Sequence, residues 1–443
     1  MKLFTVMAAS LFMVWGAAMA QQPAQCPQGL PNGASCYGGQ DDQGAFYLIA
    51  IPPQWNRTLM LHTHGGPSLK PPSAEDPAAN LERFAVTVAE GFAWAGSSYR
   101  HAGYGVRDAA EDTERLRKIF WAKFGRPDRT FLHGQSWGAA VAAKTAELYG
   151  GGRSDKPIYD GVILTSGVLG GATRSYDFRA DLRAVYQYYC HNDPQPGEPA
   201  YPLWQGLPTK GVLKSHELDA RIDACTGIAH PSAERSAEQR RRLANILAVT
   251  RIPERTLLSH MNFATFTFRD LVQRQLHGHN PFSNVGVVYR GSDDDDALNA
   301  GVERFAADPQ ALRDLAFDGD PSGQLSVPTL TMHAEDDPTA FVELEAEYRA
   351  IVAKAGSSAL LVQSFTREHE HTKLATPEYA ALFQAMTDWV DRGSKPSPAS
   401  LAARCGELAA AYGEECHFDP DFAPTPLSQR VYDRIKPPVA ESP

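Results

Sequence analysis

The sequence has few of the features that suit a protein to nucleic acid or to a lipid bilayer. Its 42 Lys and Arg residues are outnumbered by 52 Asp and Glu residues, which gives a formal net charge of −10 at pH 7. An acidic balance argues against nucleic acid or an anionic membrane as the main partner. Beyond an N-terminal run over residues 3–18, no stretch is apolar enough to cross a bilayer. We therefore expect no nucleic-acid partner.

Cysteine is also scarce, and no C-x-x-C motif occurs among the six cysteines, which disfavours a cysteine-bound metal. The cysteines instead form three couples that are close in sequence. These couples are Cys26 with Cys36, Cys190 with Cys225, and Cys405 with Cys416. Six cysteines allow other pairings, so this set is a prediction from proximity. Each bridge would stabilise the fold by about 2–4 kcal/mol.

The N-terminus indicates export. Lys2 gives a positive start, residues 3–18 are a short apolar run, and Ala18-Met19-Ala20 is a small-residue cleavage site. We predict a signal peptide over residues 1–20 and a mature chain that begins at Gln21, in the periplasm or secreted. A membrane anchor is the alternative, but the run is too short and polar, Pro-containing sequence follows it.

Strands and helices alternate along most of the chain, which predicts an α/β fold with a mostly parallel central sheet and helices on both faces. Residues 21–44 are rich in Gly, Pro, Asn and Gln and are expected to form an irregular arm. Strands are predicted over 45–51, 58–61, 92–98, 130–132, 159–165, 327–332 and 360–365, and core helices over 80–91, 108–124, 137–149 and 378–391.

The alternation stops over residues 172–326, where the periodicity is mostly helical. This interval is too long for a loop, so we predict an inserted helical cap over the carboxyl ends of the strands, where ligands bind in open α/β sheets. The core would then consist of residues 21–171 and 327–393. Residues 394–443 are expected to form a disulfide-stapled helix and an extended strap.

The strongest motif is Gly134-Gln135-Ser136-Trp137-Gly138. It lies between an apolar strand and an Ala-rich helix, the context in which a nucleophile elbow occurs. In so tight a turn, side chains at Gly134 and Gly138 would clash with neighbouring backbone, and the helix N-terminus favours developing negative charge. We predict Ser136 as a nucleophile; the alternative is a turn that only connects strand and helix.

A serine nucleophile needs a base, and the base needs an orienting carboxylate. The strand over 327–332 is followed by three carboxylates, of which Asp337 before Pro338 fits best, with Asp336 as the alternative. After the last predicted strand, His371 fits the base better than His369. The order serine, acid, histidine is the one in which this kind of fold delivers its triad.

Acyl chemistry also needs donors for an oxyanion. The segment His64-Gly65-Gly66-Pro67 directly follows an early strand, and its small residues let the backbone N–H groups at Gly65 and Gly66 approach a substrate. The backbone N–H of Trp137 would be the second donor. An ordinary Gly-Gly-Pro turn is the alternative.

Nothing in the pattern requires a metal or a cofactor. The H-x-H pairs at 62/64, 277/279 and 369/371 lack a third ligand nearby, so we predict no metal site. The acidic run Asp293–Asp296 is expected to be a solvated loop, with calcium or a substrate amine as the alternative. Serine-based acyl transfer needs no cofactor.

Taken in order, the HGGP loop, the GQSWG elbow, the late EDDP acid and the HEHT histidine resemble the α/β-hydrolase superfamily. The resemblance covers roughly residues 45–171 and 327–392 and implies the α/β-hydrolase fold and a serine hydrolase. Within that superfamily, HGGP with a G-x-S-W-G elbow is similar to the prolyl iminopeptidase and tripeptidyl aminopeptidase branch. The chain departs from that branch at Ser68, where a glycine is usual, and over Ser97–Gly103, which lacks the usual D-Q-R-G motif.

These motifs predict an exported hydrolase that cleaves small-molecule carboxylic esters. An aminopeptidase or oligopeptidase of the prolyl iminopeptidase type is the alternative, and it would need a cap carboxylate facing the elbow to hold a free α-amine. A non-catalytic binding protein would be expected to lack one of the triad members, whereas each role has a candidate here. A transacylase would differ only in excluding water.

Overall fold

The computed structural model describes residues 22–151 and 157–434, so the predicted signal peptide and its cleavage site lie outside the described residues. Nine strands of the described residues form one sheet. They are β1 (Gln22–Ala24), β2 (Ser35–Gln40), β3 (Phe46–Ile51), β4 (Thr58–Thr63), β5 (Ala93–Ser97), β6 (Arg129–Gln135), β7 (Gly161–Thr165), β8 (Thr329–Ala334) and β9 (Leu361–Thr366). Their order across the sheet is β1-β2-β3-β5-β4-β6-β7-β8-β9.

The sheet is mostly parallel. β4 is parallel to β5 and β6, and β6 to β9 follow one another in parallel pairs. Only β1, β2 and β3 join by antiparallel pairing. The strands β4, β5, β7 and β8 are buried along their whole length, as expected when helices cover both faces of a parallel sheet. The predicted α/β-hydrolase architecture is confirmed.

Fourteen α-helices occur in the described residues. Those of the core are α1 (Glu75–Arg83), α2 (Ala85–Ala89), α3 (Val106–Phe124), α4 (Trp137–Tyr149), α12 (Glu343–Lys354) and α13 (Thr376–Arg392), and α14 (Pro398–Tyr412) follows in the tail. Those between β7 and β8 are α5 (Asp177–Cys190), α6 (Ser215–Thr226), α7 (Ala237–Thr250), α8 (Leu257–Asn262), α9 (Phe268–Asp270), α10 (Asp295–Gly301) and α11 (Pro309–Gly319).

Apolar layers on the two faces fix the core helices against the sheet. On one face, Phe120 of α3 and Ala139 of α4 belong to the same buried cluster as Leu61 of β4. On the other face, Phe383 of α13 shares a buried cluster with Met60 of β4. Successive residues of β4 therefore pack on opposite faces of the sheet, because side chains alternate between the two faces along a strand.

The prediction of an irregular arm over residues 21–44 is wrong for residues 22–24 and 35–40, which form β1 and β2. Glycines at 38 and 39 lower the strand propensity of β2, but a cross-strand contact requires one of them. A Cβ atom on Gly39 would lie 2.4 Å from the hydroxyl of Tyr47 in β3. Pairing with β3 thus decides the structure where the local composition does not.

The prediction of one helix over residues 80–91 is also wrong in detail. The segment forms two helices, α1 and α2, with a break at Phe84 (φ −107°, ψ 31°). Phe84 is fully buried and its ring lies 4.5 Å from that of His62 beneath the sheet. The break directs this aromatic side chain inward, which helical spacing alone does not indicate.

Residues 166–328, all of which are described, contain no strand and hold the seven helices α5–α11. Their buried apolar residues, such as Leu182, Ile222 and Met261, form one cluster that continues into the α/β core through Trp137 and Phe341. Two short π-helical stretches, Phe263–Thr267 and Leu271–Gln275, extend α8 and α9. The segment between β7 and β8 is therefore a packed helical unit, and we continue to interpret it as an inserted cap.

The tail runs from the core to this helical unit. Cys405 and Cys416 form a disulfide at α14, and Phe418 bridges to Thr366 of β9. Further along, the Arg434 Nε lies 3.0 Å from Asp177 at the start of α5. The tail thus binds both parts of the molecule.

The structure pairs all six cysteines within the described residues, as Cys26–Cys36, Cys190–Cys225 and Cys405–Cys416. Among the described helices, none is long and apolar enough to cross a membrane.

Candidate active site

Ser136 occupies a strained turn between β6 and α4. Its backbone has φ 60° and ψ −127°, a region that residues with a side chain rarely adopt. The turn is held in place because the Ser136 N–H donates to Thr165 O at 2.9 Å and Ser136 O accepts from Val168 N at 3.2 Å. Strain of this kind persists only where the surroundings enforce it, and it occurs at functional sites.

The two glycines of the motif are required by close backbone contacts. A Cβ atom on Gly134 would lie 2.3 Å from Gly138 O, and a Cβ atom on Gly138 would lie 2.1 Å from Thr63 O and 2.5 Å from His64 O. The elbow can therefore pack directly against the loop that follows β4. The hydroxyl of Thr63 donates to Gly138 O at 2.7 Å and fastens the two segments together.

The structure brings Ser136, His371 and Asp337 into one hydrogen-bonded chain. Ser136 Oγ lies 2.9 Å from His371 Nε2, and His371 Nδ1 lies 2.7 Å from Asp337 Oδ2. His371 lies on the loop between β9 and α13, and Asp337 follows β8. The imidazole is partly open to solvent, whereas the carboxylate is fully buried.

The alternative acid and base lie elsewhere. Asp336 and His369 contact each other, with 3.5 Å between Asp336 Oδ2 and His369 Nδ1, and their side chains are 57% and 75% exposed. The hydroxyl of Ser136 contacts the imidazole of His371 and not this surface pair. The geometry therefore favours Asp337 over Asp336 and His371 over His369.

Asp337 is held in its ionised form by a dense set of donors. Its Oδ1 accepts from the backbone N–H groups of Thr339 and Ala340 at 2.8 and 2.9 Å. Burial by itself raises the pKa of Asp337, but hydrogen bonds from His333 and His371 outweigh it and hold that pKa well below its usual range. A permanently ionised acid can fix the tautomer of His371 and stabilise its charged form.

His333 is a second, fully buried histidine behind the acid, and sequence reasoning missed it. Its Nε2 lies 3.4 Å from Asp337 Oδ2 and its Nδ1 lies 3.3 Å from Glu345 Oε1. Burial opposes its charged form, but Asp337 and Glu345 prevail and raise the pKa of His333 to about 10. Glu345 also accepts from the Thr331 hydroxyl at 2.7 Å. At neutral pH the charged His333 therefore faces the ionised Asp337 from the side away from His371.

The predicted oxyanion loop lies directly against the elbow. A Cβ atom on Gly65 would lie 3.3 Å from Ser136 Cβ, and one on Gly66 would lie 3.5 Å from the indole ring of Trp137. The peptide bond between Gly66 and Pro67 is cis. As the first residue of α4, Trp137 has a backbone N–H without an intrahelical acceptor. The backbone groups at Gly65, Gly66 and Trp137 thus surround the serine.

The two histidines of the pair at 62 and 64 have different surroundings. His62 Nδ1 faces His133 Nδ1 at 3.2 Å inside the core, whereas His64 stacks on Tyr99 with 4.1 Å between ring centroids. In the acidic run, Asp294 caps α10 by accepting from Ala297 N at 2.9 Å, and Asp293 bonds to Arg241. These contacts favour structural roles.

One further cluster in the described chain has three potential metal ligands. Atoms of Glu368, Glu378 and His417 lie within 4.8 Å of one another. They already bond internally, because His417 Nδ1 contacts Glu368 Oε1 at 2.6 Å and Glu378 accepts from the backbone N–H groups of Ala375 and His417. The cluster links the tail to the loop of His371 and does not include the triad.

Neither a protein-family model nor a curated protein matches this sequence. Several solved structures are similar to it. The rice cell wall degrading esterase LipA from Xanthomonas oryzae is 14% identical, with a TM-score of 0.37 over 76% of this chain and 83% of its own. Feruloyl esterase B from Aspergillus oryzae is 14% identical, with a TM-score of 0.42 over 82% of each chain.

Candida antarctica lipase A in its closed state is 13% identical, with a TM-score of 0.43 over 86% of this chain and 84% of its own. In this chain, Ser136 follows β6, Asp337 follows β8 and His371 follows β9 of a mostly parallel sheet, which is the order in which the α/β-hydrolase fold supplies a serine, an acid and a histidine.

Proposed function

We propose that this protein is an exported serine hydrolase that cleaves carboxylic esters through a covalent acyl-enzyme. The observation that supports it best is the continuous contact from Ser136 Oγ through His371 to Asp337, at 2.9 and 2.7 Å. A nucleophile, a base and an orienter at hydrogen-bond distance are the parts that acyl transfer requires. The strained elbow at Ser136 adds a feature that an ordinary turn would not need.

In the first half of the reaction, His371 Nε2 takes the proton of Ser136 as its Oγ attacks the ester carbonyl. Asp337 accepts the hydrogen bond from His371 Nδ1 and stabilises the imidazolium. The carbonyl oxygen becomes an oxyanion, which backbone N–H groups near Gly66 and at Trp137 stabilise. Losing one such donor typically costs about 2.7–4 kcal/mol of transition-state stabilisation.

The tetrahedral intermediate collapses when the bond to the alcohol oxygen breaks and His371 gives its proton to that oxygen. Water then attacks the acyl group on Ser136, with His371 again taking a proton. The second intermediate collapses to the free acid, and the serine hydroxyl recovers its proton. Both halves use the same three side chains and only water besides the substrate.

An ester is favoured over a peptide with a free N-terminus. An aminopeptidase needs an acidic side chain to hold the α-amine, but two charged cap side chains that contact the Asp337 loop are cations. Arg179 Nη2 lies 3.3 Å from Thr339 O, and Arg255 Nη2 lies 3.5 Å from Asp336 O. Export is supported by three disulfides in the described chain, because such bonds persist in oxidising compartments. We propose the periplasm or the extracellular space as the location and a small ester as the substrate.

The test compares the mature protein with its Ser136→Ala variant. Both are incubated with p-nitrophenyl esters of several chain lengths and with aminoacyl-p-nitroanilides, and a fluorophosphonate probe is used to label the nucleophile. We expect turnover of the esters and labelling of the wild type, with both lost in Ser136→Ala. Ser322→Ala is the matched control, because Ser322 is exposed and its Oγ only accepts from Gln324 N.

Ester turnover that survives in Ser136→Ala would remove the serine from the mechanism. Turnover of the anilides without the esters would favour the peptidase instead. Loss of labelling in Ser322→Ala would mean that the probe reports folding rather than the nucleophile, so both variants are first compared by thermal unfolding.

A further inference from the structure

Arg179 of α5 is a buried cation without an acidic partner. It is 5% exposed, and among the described residues no carboxylate lies within 4.0 Å of its guanidinium. Its Nε donates to His260 Nδ1 at 3.1 Å and its Nη2 to Thr339 O at 3.3 Å, while its Nη1 has no acceptor in the described chain. Buried arginines are normally paired, because an isolated charge away from water is costly.

Two other buried arginines in the same region follow the normal rule. Arg183, one helical turn further along α5, lies 3.3 Å from Asp193. Arg434 of the tail contacts both Asp177 and Asp181. The cap therefore neutralises its buried cations where they serve only structure, and Arg179 is the exception.

The arginine keeps its charge at neutral pH. Burial lowers the pKa of Arg179 only to about 10. His260 offers no negative charge, since burial and the nearby Arg179 lower its own pKa well below the usual value. A neutral His260 fits both of its contacts, because Nδ1 accepts from Arg179 while Nε2 donates to Pro338 O at 3.0 Å.

The guanidinium lies next to the triad. Arg179 Nη2 donates directly to Thr339 O, and Arg179 Nε donates to His260, which in turn donates to Pro338 O. Pro338 and Thr339 directly follow Asp337 in the sequence. The same stretch supplies the backbone N–H of Thr339 to Asp337. Arg179 is thus fixed to the turn that positions the triad acid, on the side that the cap covers.

A row of aromatic rings also links Arg179 to Trp137, which follows Ser136. Its guanidinium carbon lies 4.3 Å from the ring centre of Phe263, which stacks on Tyr176 at 5.2 Å. Tyr176 contacts Tyr104 at 5.9 Å, and Tyr104 contacts Trp137, the neighbour of Ser136, at the same distance. These contacts form a continuous row of rings from Arg179 to Trp137, the residue that follows Ser136.

Phe263 begins the π-helical turn Phe263–Thr267. Single π-turns cost stability within an α-helix and occur often at functional sites. Here the turn begins with one of the aromatic rings that lie over the guanidinium of Arg179, and Phe178 supplies another at 4.6 Å.

We propose that Arg179 binds an ionised carboxylate of the substrate, so that the preferred substrates of the Ser136 centre are esters that also carry a free acid group. This rests on the proposed ester hydrolysis and names its substrate class. The substrate carboxylate supplies the missing counter-charge, and the flanking aromatic rings and His260 hold the guanidinium of Arg179 in position. An Arg–carboxylate pair is strongest when it is shielded from water.

The free acid can belong to the acyl part or to the alcohol part of the ester, and two substrate pairs separate these cases. Monomethyl adipate and its terminal amide test an acid on the acyl side. Acetoxybenzoate with its groups in para positions, and the corresponding acetoxybenzamide, test an acid on the alcohol side. Turnover is followed in a pH-stat at neutral pH, where only one member of each pair is charged.

The measured quantity is the ratio of kcat/KM for the acidic ester to that for its neutral amide, because a general loss of activity cancels in this ratio. We expect a ratio of about 10–100 in the wild type for at least one pair, as hydrogen bonds to a buried charge provide. In Arg179→Gln the ratio should fall to about 1 or below. Arg179→Lys should retain part of the preference, since lysine keeps the positive charge but cannot form the two parallel hydrogen bonds of a guanidinium.

Arg183→Gln is the matched control, because it removes a buried cation from the same helix but one that already has a partner. Its ratio should stay that of the wild type. A wild-type ratio below about 3 for both pairs, or a preference that persists in Arg179→Gln, overturns the proposal. Thermal unfolding confirms that each variant is folded, and if Arg179→Gln is not, the wild-type ratio and Arg179→Lys decide.

A binding measurement separates failure of this proposal from failure of the ester reaction. Titration calorimetry is carried out with the Ser136→Ala protein, which cannot turn over the ligand. Tighter binding of the acidic ester than of its amide, absent in the Ser136→Ala, Arg179→Gln double variant, supports the carboxylate site even if no ester is hydrolysed. Equal binding of both overturns it, even where neutral esters are good substrates.

Discussion

His333 Nε2 lies 3.4 Å from Asp337 Oδ2, the same oxygen that contacts His371 Nδ1 at 2.7 Å. Asp337 therefore lies between two imidazoles, that of His371, which contacts Ser136, and that of His333, which is buried in the core with Glu345. In the proposed mechanism the imidazole of His371 changes its charge, whereas that of His333 stays protonated. Asp337 is thereby fixed in position and charge before a substrate arrives.

The first prediction concerns the pH dependence of stability. The pKa of His333 is raised from 6.5 to about 10 in the folded protein, so its protonation stabilises the fold fully below pH about 6.5. That contribution is lost as the pH rises through about 10. Urea unfolding between pH 6.5 and 10 should show a fall on the order of a few kcal/mol that is absent in His333→Gln.

His133→Gln is the control for this experiment. His133 is equally buried on the neighbouring part of the sheet, but burial lowers its pKa to about 3, so its charge state does not change above pH 6.5. The slope of stability with pH should stay that of the wild type in His133→Gln. An identical slope in all three proteins would mean that His333 is not charged in the fold.

The second prediction separates the two candidate acids. Asp337→Asn should lower kcat by about four orders of magnitude, because the amide cannot hold His371 in the required tautomer. Asp336→Asn should leave kcat within about threefold, since its side chain is mostly exposed and contacts only surface groups. Steady-state kinetics on one p-nitrophenyl ester measures both. Equal losses would mean that the loop carries its acid at a different position.

The third prediction separates the two candidate bases in the same way. His371→Ala should reduce kcat by at least about 10³-fold, because Ser136 then has no group to take its proton. His369→Ala should have little effect, as its imidazole is 75% exposed and pairs with the surface residue Asp336. Rescue of His371→Ala by added imidazole would show that the missing function is proton transfer, whereas a larger loss in His369→Ala would contradict the assignment.

The proposed triad residues could be chosen from the sequence because they lie in short motifs. The clash that excludes a side chain at Gly134 or Gly138 comes from neighbouring backbone, so the glycines mark the elbow in the sequence itself. The same holds for the order of strand, acid and histidine. Spacing alone left the alternatives Asp336 and His369 open, and burial together with the contacts of His371 to Ser136 and Asp337 argues against them.

The features that escaped prediction depend on contacts between distant segments. β2 contains Gly39, and a glycine lowers the propensity of a segment to form a strand. In the structure, the ring of Tyr47 occupies the space that a side chain at position 39 would take. His333 lies in an apolar strand, where a histidine is expected to be an incidental core residue. Its role follows from Glu345, which approaches it from α12, and no pattern in the strand indicates that partner.

The last prediction tests the close packing of the elbow. Gly138→Ala places a Cβ atom 2.1 Å from Thr63 O and 2.5 Å from His64 O, and backbone atoms on both sides cannot yield as a flexible side chain can. We expect this variant to lose several kcal/mol of stability, about as much as the more severe core substitutions, and to lose ester turnover with it.

Gly406→Ala is the matched control, since Gly406 lies inside α14 with no heavy atom within 4 Å of its added Cβ. There the substitution should raise stability by about 0.5–1 kcal/mol, because alanine loses less conformational freedom in a helix than glycine does. Urea unfolding of the two variants beside the wild type measures both effects. Opposite signs would identify the contact with the loop after β4 as the reason for Gly138, whereas a tolerated Gly138→Ala would mean that the elbow and this loop lie further apart.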